Sequence, residues 1–486
     1  MKDNILLTNY KGLSQEELEK LPVQELAHIA HEALQNWDKL NQRLNQDSTN
    51  SSRAPSTDSP EAKAKRKAEE KASTPKHGTR KQGAQPGHKA VSRPILPLGV
   101  DDVIVDCKPQ TCAHCGQPLS EQTDPGPYRS QQYEVKIIRR ITEYRKHSIT
   151  CPSCGEVTEG TLPEQAMGSA YGPEVTSLVG VLTGLCRVSR RMAKEFVEEV
   201  LEVPISVGSI SNIEEELREA AQPVMEKIEE AAQSASQGNA DETGFGMKHG
   251  KQGWLWVLVT PCAVLFRLLV GRGREWATQL QGKFEGILTS DRWSGYSQYP
   301  QEKHQLCWSH LVRDFKAMTE SGREGKMIGT ALGKEARQMF RKWHLFKRWK
   351  VSEEKKGKKI SMTVLESQME GIRQRIKALL EEGAKQGVPK CGPILKVEPR
   401  LWVFTREEGI EPTNNEAERN IRPAVLWKKN SYGVESDRGA RYVESMLSIW
   451  ATSRRNEVNP VKFLRELVYS SRANTPAPSI FSAPSL

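Results

Sequence analysis

Residues 237–270 read QGNADETGFGMKHGKQGWLWVLVTPCAVLFRLLV, and the fold turns on how this stretch is read. After Gln237-Gly238 the pattern becomes strand-like. One run starts at Asp241 and ends near His249, and residues 254–259 and 264–270 form two apolar runs separated by Thr260-Pro261. Short apolar runs rich in Val, Leu and Trp, bounded by turn residues, are expected to be buried strands. Working outward, residues 274–284 predict a helix, 286–288 a fourth strand ending at Asp291, and 304–308 a fifth.

Three consecutive strands, a helix and another strand is the order of an RNase H-like sheet, which carries one carboxylate on its first strand and another at the end of its fourth. Asp241 and Glu242 are adjacent. Neighbouring strand residues face opposite ways, so only one of the two serves a site, and Asp241 is the choice. Asp291 stands where an apolar strand runs out at Thr289-Ser290. Taken singly, each Asp also reads as a turn or capping residue. A third carboxylate comes from Thr413-Asn-Asn-Glu416-Ala-Glu418-Arg419. Thr413 with Glu416 three positions on predicts a capping box, which assigns Glu416 to the start of its own helix. Glu418, turned about 200° round the helix from Glu416, is left to bind metal or to pair with Arg422 at i+4. Three carboxylates offer hard oxygen donors to two Mg²⁺ (or Mn²⁺) ions about 3.5–4 Å apart, which suits the activation of an oxygen nucleophile in phosphodiester chemistry.

A second chemical motif is the pair Cys112-Ala-His-Cys115 and Cys151-Pro-Ser-Cys154, each followed by Gly. Two Cys-x-x-Cys knuckles supply the four soft donors of a structural Zn²⁺ site once a β-hairpin joins them, and residues 133–150 are strand-like enough to be that hairpin. Cys107 and His114 are alternative ligands, and redox dithiols are the other reading of such pairs.

Between the knuckles and the strands, residues 172–217 carry three helical patterns joined by short turns. They suit a helix-turn-helix with Arg187, Arg190 and Arg191 near the DNA backbone, and equally a plain structural bundle. Upstream, Leu26, Ala30, Ala33, Trp37, Leu40 and Leu44 keep one apolar helical seam, the spacing of a short coiled coil or of a helix packed on the body. Residues 47–94 lack large apolar side chains and are read as a disordered basic arm, with Lys65, Arg66, Lys67, Arg80 and Lys81 among its cations. Residues 315–397, rich in Lys, Arg, Glu and Leu, read as a helical insertion.

The whole chain of 486 residues has a formal net charge of +10 and a pI near 9.0, which favours a polyanionic partner. No apolar run is long enough to span a membrane, and Met1-Lys2-Asp3-Asn4 does not open a signal peptide, so a cytoplasmic, nucleoid-associated protein without membrane contact is expected.

Together the motifs resemble the transposases of the insertion-sequence-66 family along nearly the whole chain. The resemblance rests on Asn50-Ser-Ser, Lys81-Gln-Gly-Ala-Gln-Pro-Gly-His88, the paired cysteines, Tyr171-Gly-Pro173, Ala240-Asp-Glu-Thr243, Ser290-Asp291, Gly295-Tyr296 and Cys307-Trp-Ser-His310. Most specific are Asn414-Asn415-Glu416-Ala-Glu418-Arg419-Asn-Ile-Arg422-Pro423, Lys428-Lys429-Asn430 and Ser436-Asp-Arg-Gly439. Thr413 departs from the family, which more often has Asp there; either residue caps a helix.

The resemblance implies a multidomain α+β protein: a helical segment (1–46), the arm (47–94), a zinc-binding β domain (95–165), a helical DNA-binding domain (166–236), an RNase H-like DDE domain (237–470) and a disordered tail (471–486). Its triad would be Asp241, Asp291 and Glu418, with His310, Asn415, Arg419 and Arg422 lining the site, since Cys307-x-x-His310 is similar to an element that follows the second Asp in several DDE families. Arg190, Arg191, Arg292, Lys428 and Lys429 join the arm as expected DNA contacts. The implied activity is cleavage at terminal inverted repeats and transfer of 3′-hydroxyl ends into target duplex DNA by at least a dimer, with accessory transposition proteins as further partners. Rival readings are a nuclease or resolvase without strand transfer, and an inactive zinc-containing DNA-binding protein.

Overall fold

The computed structural model describes residues 19–44, 47, 58–73, 94–100, 102–119, 128–163, 168–247 and 250–481. It divides into two compact units, residues 68–143 and the remainder of the chain. The apolar seam near the N-terminus is a helix, α1 (Val23–Leu44), with Trp37 exposed. A second helix, α2 (Pro60–Ser73), lies where a disordered arm was expected. Ala, Lys and Glu are good helix formers, Pro60 suits a first turn, and the Ser59 hydroxyl accepts the Ala62 N–H at 3.1 Å, so propensity and capping make this helix without a core. Lys67 on α2 is exposed; the side chains of Lys65 and Arg66, and all of Arg80 and Lys81, lie outside the described residues.

None of the described residues between 94 and 163 is buried. The hairpin expected at 133–150 is instead β1 (Ser148–Thr150) against β2 (Val157–Glu159), and the cysteine knuckle itself forms its turn. After it come α3 (Pro173–Gly180), running on into a π-helical turn at Val181–Leu185, α4 (Arg190–Leu201) and α5 (Val207–Gln233). The sequence marks these starts: Ser189 and Ser206 cap α4 and α5 by accepting the N–H of Met192 and Ser209.

The sheet follows: β3 (Gln237–Met247), β4 (Lys251–Val259), β5 (Val264–Leu269), α6 (Arg274–Gln281), β6 (Ile287–Ser290) and β7 (His304–Leu306). Its spatial order is β5-β4-β3-β6-β7, with β3, β4 and β5 antiparallel and β6 and β7 parallel to β3. The fifth strand is shorter than the sequence suggests, because Trp308 already opens α7 (Trp308–Met318). Helices α8 (Gly322–Glu354), α9 (Thr363–Lys385) and α10 (Cys391–Leu395) form the expected insertion, with a core of their own around Leu332, Met339, Ile372, Ile376 and Trp402.

The chain returns to the sheet with α11 (Asn415–Ser431), α12 (Asp437–Arg455) and α13 (Pro460–Arg472). On α12, the side chains of Thr452, Ser448 and Glu444 accept the N–H groups of Val264, Phe266 and Leu268 at 3.0, 3.0 and 2.6 Å, so the edge of β5 is capped by one helix face. One buried cluster runs from Val179 and Leu217 through Trp256 and Phe266 to Met446 and Leu464. The described residues 168–236 therefore share the sheet's core, where the sequence suggests a separate helical domain over 166–236. The physical reason is α5, whose long apolar face packs on both β5 and α12. Among the described residues no helix is long and apolar enough to cross a membrane.

Helix α11 is docked on β3 at its far end by the Lys428 ammonium donating to the Gly244 carbonyl (2.7 Å) and the Val434 N–H to that of Gly246 (3.0 Å). A Cβ at Gly246 would stand 2.5 Å from the Tyr432 carbonyl oxygen, a backbone atom that cannot rotate away. Gly246→Ala is therefore expected to cost about 1–3 kcal/mol, read as a lower denaturant midpoint with an unchanged slope.

Candidate active site

Strands β3 and β6 pair in parallel with Gln237, Gly238 and Asn239 opposite Ile287, Leu288 and Thr289. Asp241 and Asp291 each lie two residues beyond the last pair. They therefore come to the same level and face of neighbouring strands, about 5 Å apart at the backbone. A third element is brought to them by Asn414, which is completely buried. Its side-chain amide donates to the Ala240 carbonyl at 2.8 Å and accepts from the Asn239 amide at 3.2 Å, while its backbone N–H reaches Cys307 Sγ at 3.1 Å. One turn later the Glu418 N–H bonds the Asn414 carbonyl at 3.2 Å, so the start of α11 is pinned beside Asp241.

Burial holds the Asp241 carboxyl well above the usual carboxylate range, and the charges of Glu242, Asp291 and Glu418 push it further; one hydrogen bond from the Glu242 N–H opposes them. Two of the acids singled out by sequence thus act on the third. Glu242 is engaged elsewhere: its buried carboxylate takes Arg272 at 2.8 Å and the Tyr296 hydroxyl at 2.9 Å. Arg272 is in turn stacked between Trp254 and Trp293, 4.8 Å from each ring, and the Trp293 N–H bonds Asp291 Oδ1 at 2.9 Å. This assembly braces the Asp291 turn, and its cue in the sequence is only a scatter of Trp and Arg.

Cys307, His310 and Glu418 bring ligand atoms within 4.8 Å of one another, with His310 Nδ1 at 4.0 Å from Glu418 Oε1. Burial pushes the Cys307 thiol up, and its sulfur already accepts the Asn414 N–H, so it is a core residue in its neutral form. His310 is lowered by burial and by Arg313, which keeps its imidazole neutral beside Asp291 and Glu418. Cys307, His310 and Glu418 are close enough together to hold a metal ion beside Asp241 and Asp291.

A family model described as "Transposase IS66 family" matches residues 188–442, just over half of the chain. The chain belongs to the IS66 transposase family. A family of unknown function, DUF6444, matches residues 9–94 of this IS66-family chain. It is also similar to two uncharacterised proteins of Sinorhizobium fredii (strain NBRC 101917 / NGR234). With y4qI it is 24% identical over 54% of its own length and 52% of y4qI, so it spans about half of that relative. With y4hP it is 22% identical over 77% of its own length and 74% of y4hP.

Other residues of the IS66 motif are placed differently from expectation. The capping box does not form: Asn414 is the cap position without a side-chain bond, and Glu416 pairs with Arg419 and Arg455. The charge of Arg455, arriving from α12, outcompetes a neutral backbone N–H for that carboxylate. Arg419 is accordingly turned to Glu416, and Arg422 is exposed with no ion pair among the described residues. Asn415 accepts a long hydrogen bond from the Ser309 hydroxyl at 3.5 Å. Of the expected DNA contacts, Arg190 is paired with buried Glu214 at 2.6 Å and Lys428 with the Gly244 carbonyl, whereas Arg191 and Lys429 are exposed. Arg292 pairs with Asp314 at 2.7 Å.

The two cysteine knuckles, each described within its own unit, share one conformation. In the first, the Cys112 N–H bonds Gln117 O and the Gly116 N–H bonds Cys112 O; in the second, the Cys151 N–H bonds Glu156 O and the Gly155 N–H bonds Cys151 O. Both glycines have φ above +70°, which the tight turn requires. Hydrogen bonds from the backbone of the following residues lower the thiols of Cys112 and Cys151, favouring the thiolate.

Because the folded value of Asp241 is raised, its contribution to stability is full below the ordinary aspartate range and is lost as pH climbs through the raised value. Without divalent metal, Asp241→Asn is expected to melt at a higher temperature than the natural protein near neutral pH, with the difference shrinking toward acid pH. A lower melting temperature at neutral pH would contradict this electrostatic account.

Proposed function

We propose that this IS66-family protein is a DNA transposase of the RNase H-like DDE type, which cleaves strands at the ends of its element and transfers the 3′-hydroxyls into target duplex. What supports the reading is that the charges of Asp291 and Glu418, from two other elements, act on the buried Asp241 of the sheet. Strand order β5-β4-β3-β6-β7 with a three-strand antiparallel half supports the RNase H-like assignment.

The donors fit a hard divalent cation: carboxylate oxygens, with a buried acid whose ionised form is disfavoured until positive charge is supplied. Two bound Mg²⁺ or Mn²⁺ ions would polarise the attacking oxygen and stabilise the leaving one. Asp241 and Asp291, fixed by strand register, hold the geometry. Glu418 is half-exposed on the first turn of α11, which Asn414 pins to β3, so it completes the set from a third element. Neutral His310 beside them is suited to orient a water or a phosphate oxygen. Water attacking first frees a 3′-hydroxyl; that hydroxyl attacking target phosphate joins the strands. Two DNA ends must be paired for this, so the working species is at least a dimer, with accessory transposition proteins as candidate partners. The exposed basic residues Lys67, Arg191 and Lys429 are suited to the phosphate backbone.

Purified protein with Mg²⁺ is expected to nick and join a duplex ending in the element's terminus. Glu418→Gln and Asp291→Asn should each lower joining by more than about 100-fold, since losing even an outer-shell partner costs up to that much, while DNA binding persists. Cutting without joining selects a nuclease, and binding without cutting an inactive relative.

On their spacing in the sequence, Cys112 with Cys115 and Cys151 with Cys154 are proposed as ligands of structural Zn²⁺. Elemental analysis should find zinc that falls in Cys112→Ser and equally in Cys151→Ser; full retention in either would refute the role of that pair.

A further inference from the structure

Beside the carboxylates lies a cluster of cations that the triad does not use. Arg292 directly follows Asp291, and its guanidinium is 2.7 Å from Asp314 Oδ2. His310, Arg313 and Asp314 fall at i, i+3 and i+4 on α7, hence on one side of that helix. Lys390 arrives from the end of the helical insertion and places its ammonium 2.7 Å from Asp314 Oδ1. Its backbone is held at φ +69°, a conformation that residues with a side chain keep only when their surroundings fix them. Asp314 thus organises Arg292 and Lys390, with Arg313 alongside, in a cluster that also neighbours Asp291 and Glu418.

Three buried nitrogens of this cluster have no hydrogen-bond partner among the described residues: Nε of Arg292, Nε of Arg313 and Nδ1 of His310. Buried polar groups need partners, so the two unmatched guanidinium Nε–H groups, with the imidazole nitrogen beside them, are suited to receive an oxyanion. Guanidinium forks match phosphate oxygens well. His310 ties the cluster to the reaction centre, since the same ring nitrogen lies 4.0 Å from Glu418.

We propose that Arg292, His310 and Arg313, with Lys390 held through Asp314, clamp one backbone phosphodiester of the DNA strand next to the bond that is cleaved. The inference rests on reading the carboxylates as a DNA-processing site, and it adds the insertion and α7 to the substrate-binding surface. Carboxylates on one side and the clamp on the other would fix the strand at two points, which aligns the scissile phosphate.

The test uses the full chain without divalent metal, so that binding is read apart from chemistry. Affinity for an end duplex is measured against salt for the natural protein, Arg313→Gln and Lys390→Gln, with Arg313→Lys and thermal melting as controls for folding. Each neutral variant should flatten the slope of log affinity against log salt by about 1, and Arg313→Lys should largely restore it. Single methylphosphonate linkages are then placed one at a time near the cleavage point. One position should weaken the natural protein while leaving Arg313→Gln unaffected. Unchanged salt slopes in both folded neutral variants, or equal losses for natural protein and variant at every linkage, would overturn the clamp. Failure of the natural protein to cut or join with Mg²⁺ is a separate result that sinks the transposase reading instead.

Discussion

A single buried amide governs the site. Asn414 bonds the Ala240 carbonyl across 174 residues of chain, and its own carbonyl starts the turn that carries Glu418. An amide with no access to water must have its partners, so the N-terminus of α11 has one position on β3 and no slack along it. The parallel register of β3 and β6 sets Asp241 against Asp291 with the same certainty. The whole insertion, α8 to α10, is folded between the second acid and the third, with its own core. The Asn414 contact is what makes that excursion return to the right place.

That geometry sets charges where folding alone would not choose them. Burial and three acidic neighbours disfavour the ionised form of Asp241, and the molecule keeps the arrangement because the sheet beneath is well packed. Glu242, its neighbour in sequence, is also raised by burial, but its carboxylate has Arg272 and Tyr296 as partners. Alternation along one strand thus turns two adjacent acids to different surroundings.

Much of this was legible from residues alone. The apolar runs of β4 and β5 and the acid at the end of β6 follow from periodicity and turn residues, because buried strands need little else. The choice of Asp241 over Glu242 followed from strand alternation. Readings that depended on a distant competitor fared worse. Glu416 looked like half of a capping box until α12 supplied Arg455, and Arg190 looked free for DNA until α5 supplied Glu214. Asn414 stands in the most specific motif with no role attached to it, and Arg313 and Lys390 carry no local signal, since each draws its meaning from a partner on another element. Helix α2 escapes a reading based on apolar burial for a different reason: its stability comes from propensity and a capped first turn.

The polar ladder of Thr452, Ser448 and Glu444 along β5 closes one margin of the sheet. On the other margin, the Gln305 amide of β7 is taken up by the Leu401 carbonyl and the Phe404 N–H. With β5 closed to main-chain recruitment, another chain cannot lengthen the sheet there by adding a strand, and the near-irreversible zippering that an open row of N–H groups invites is denied along that margin.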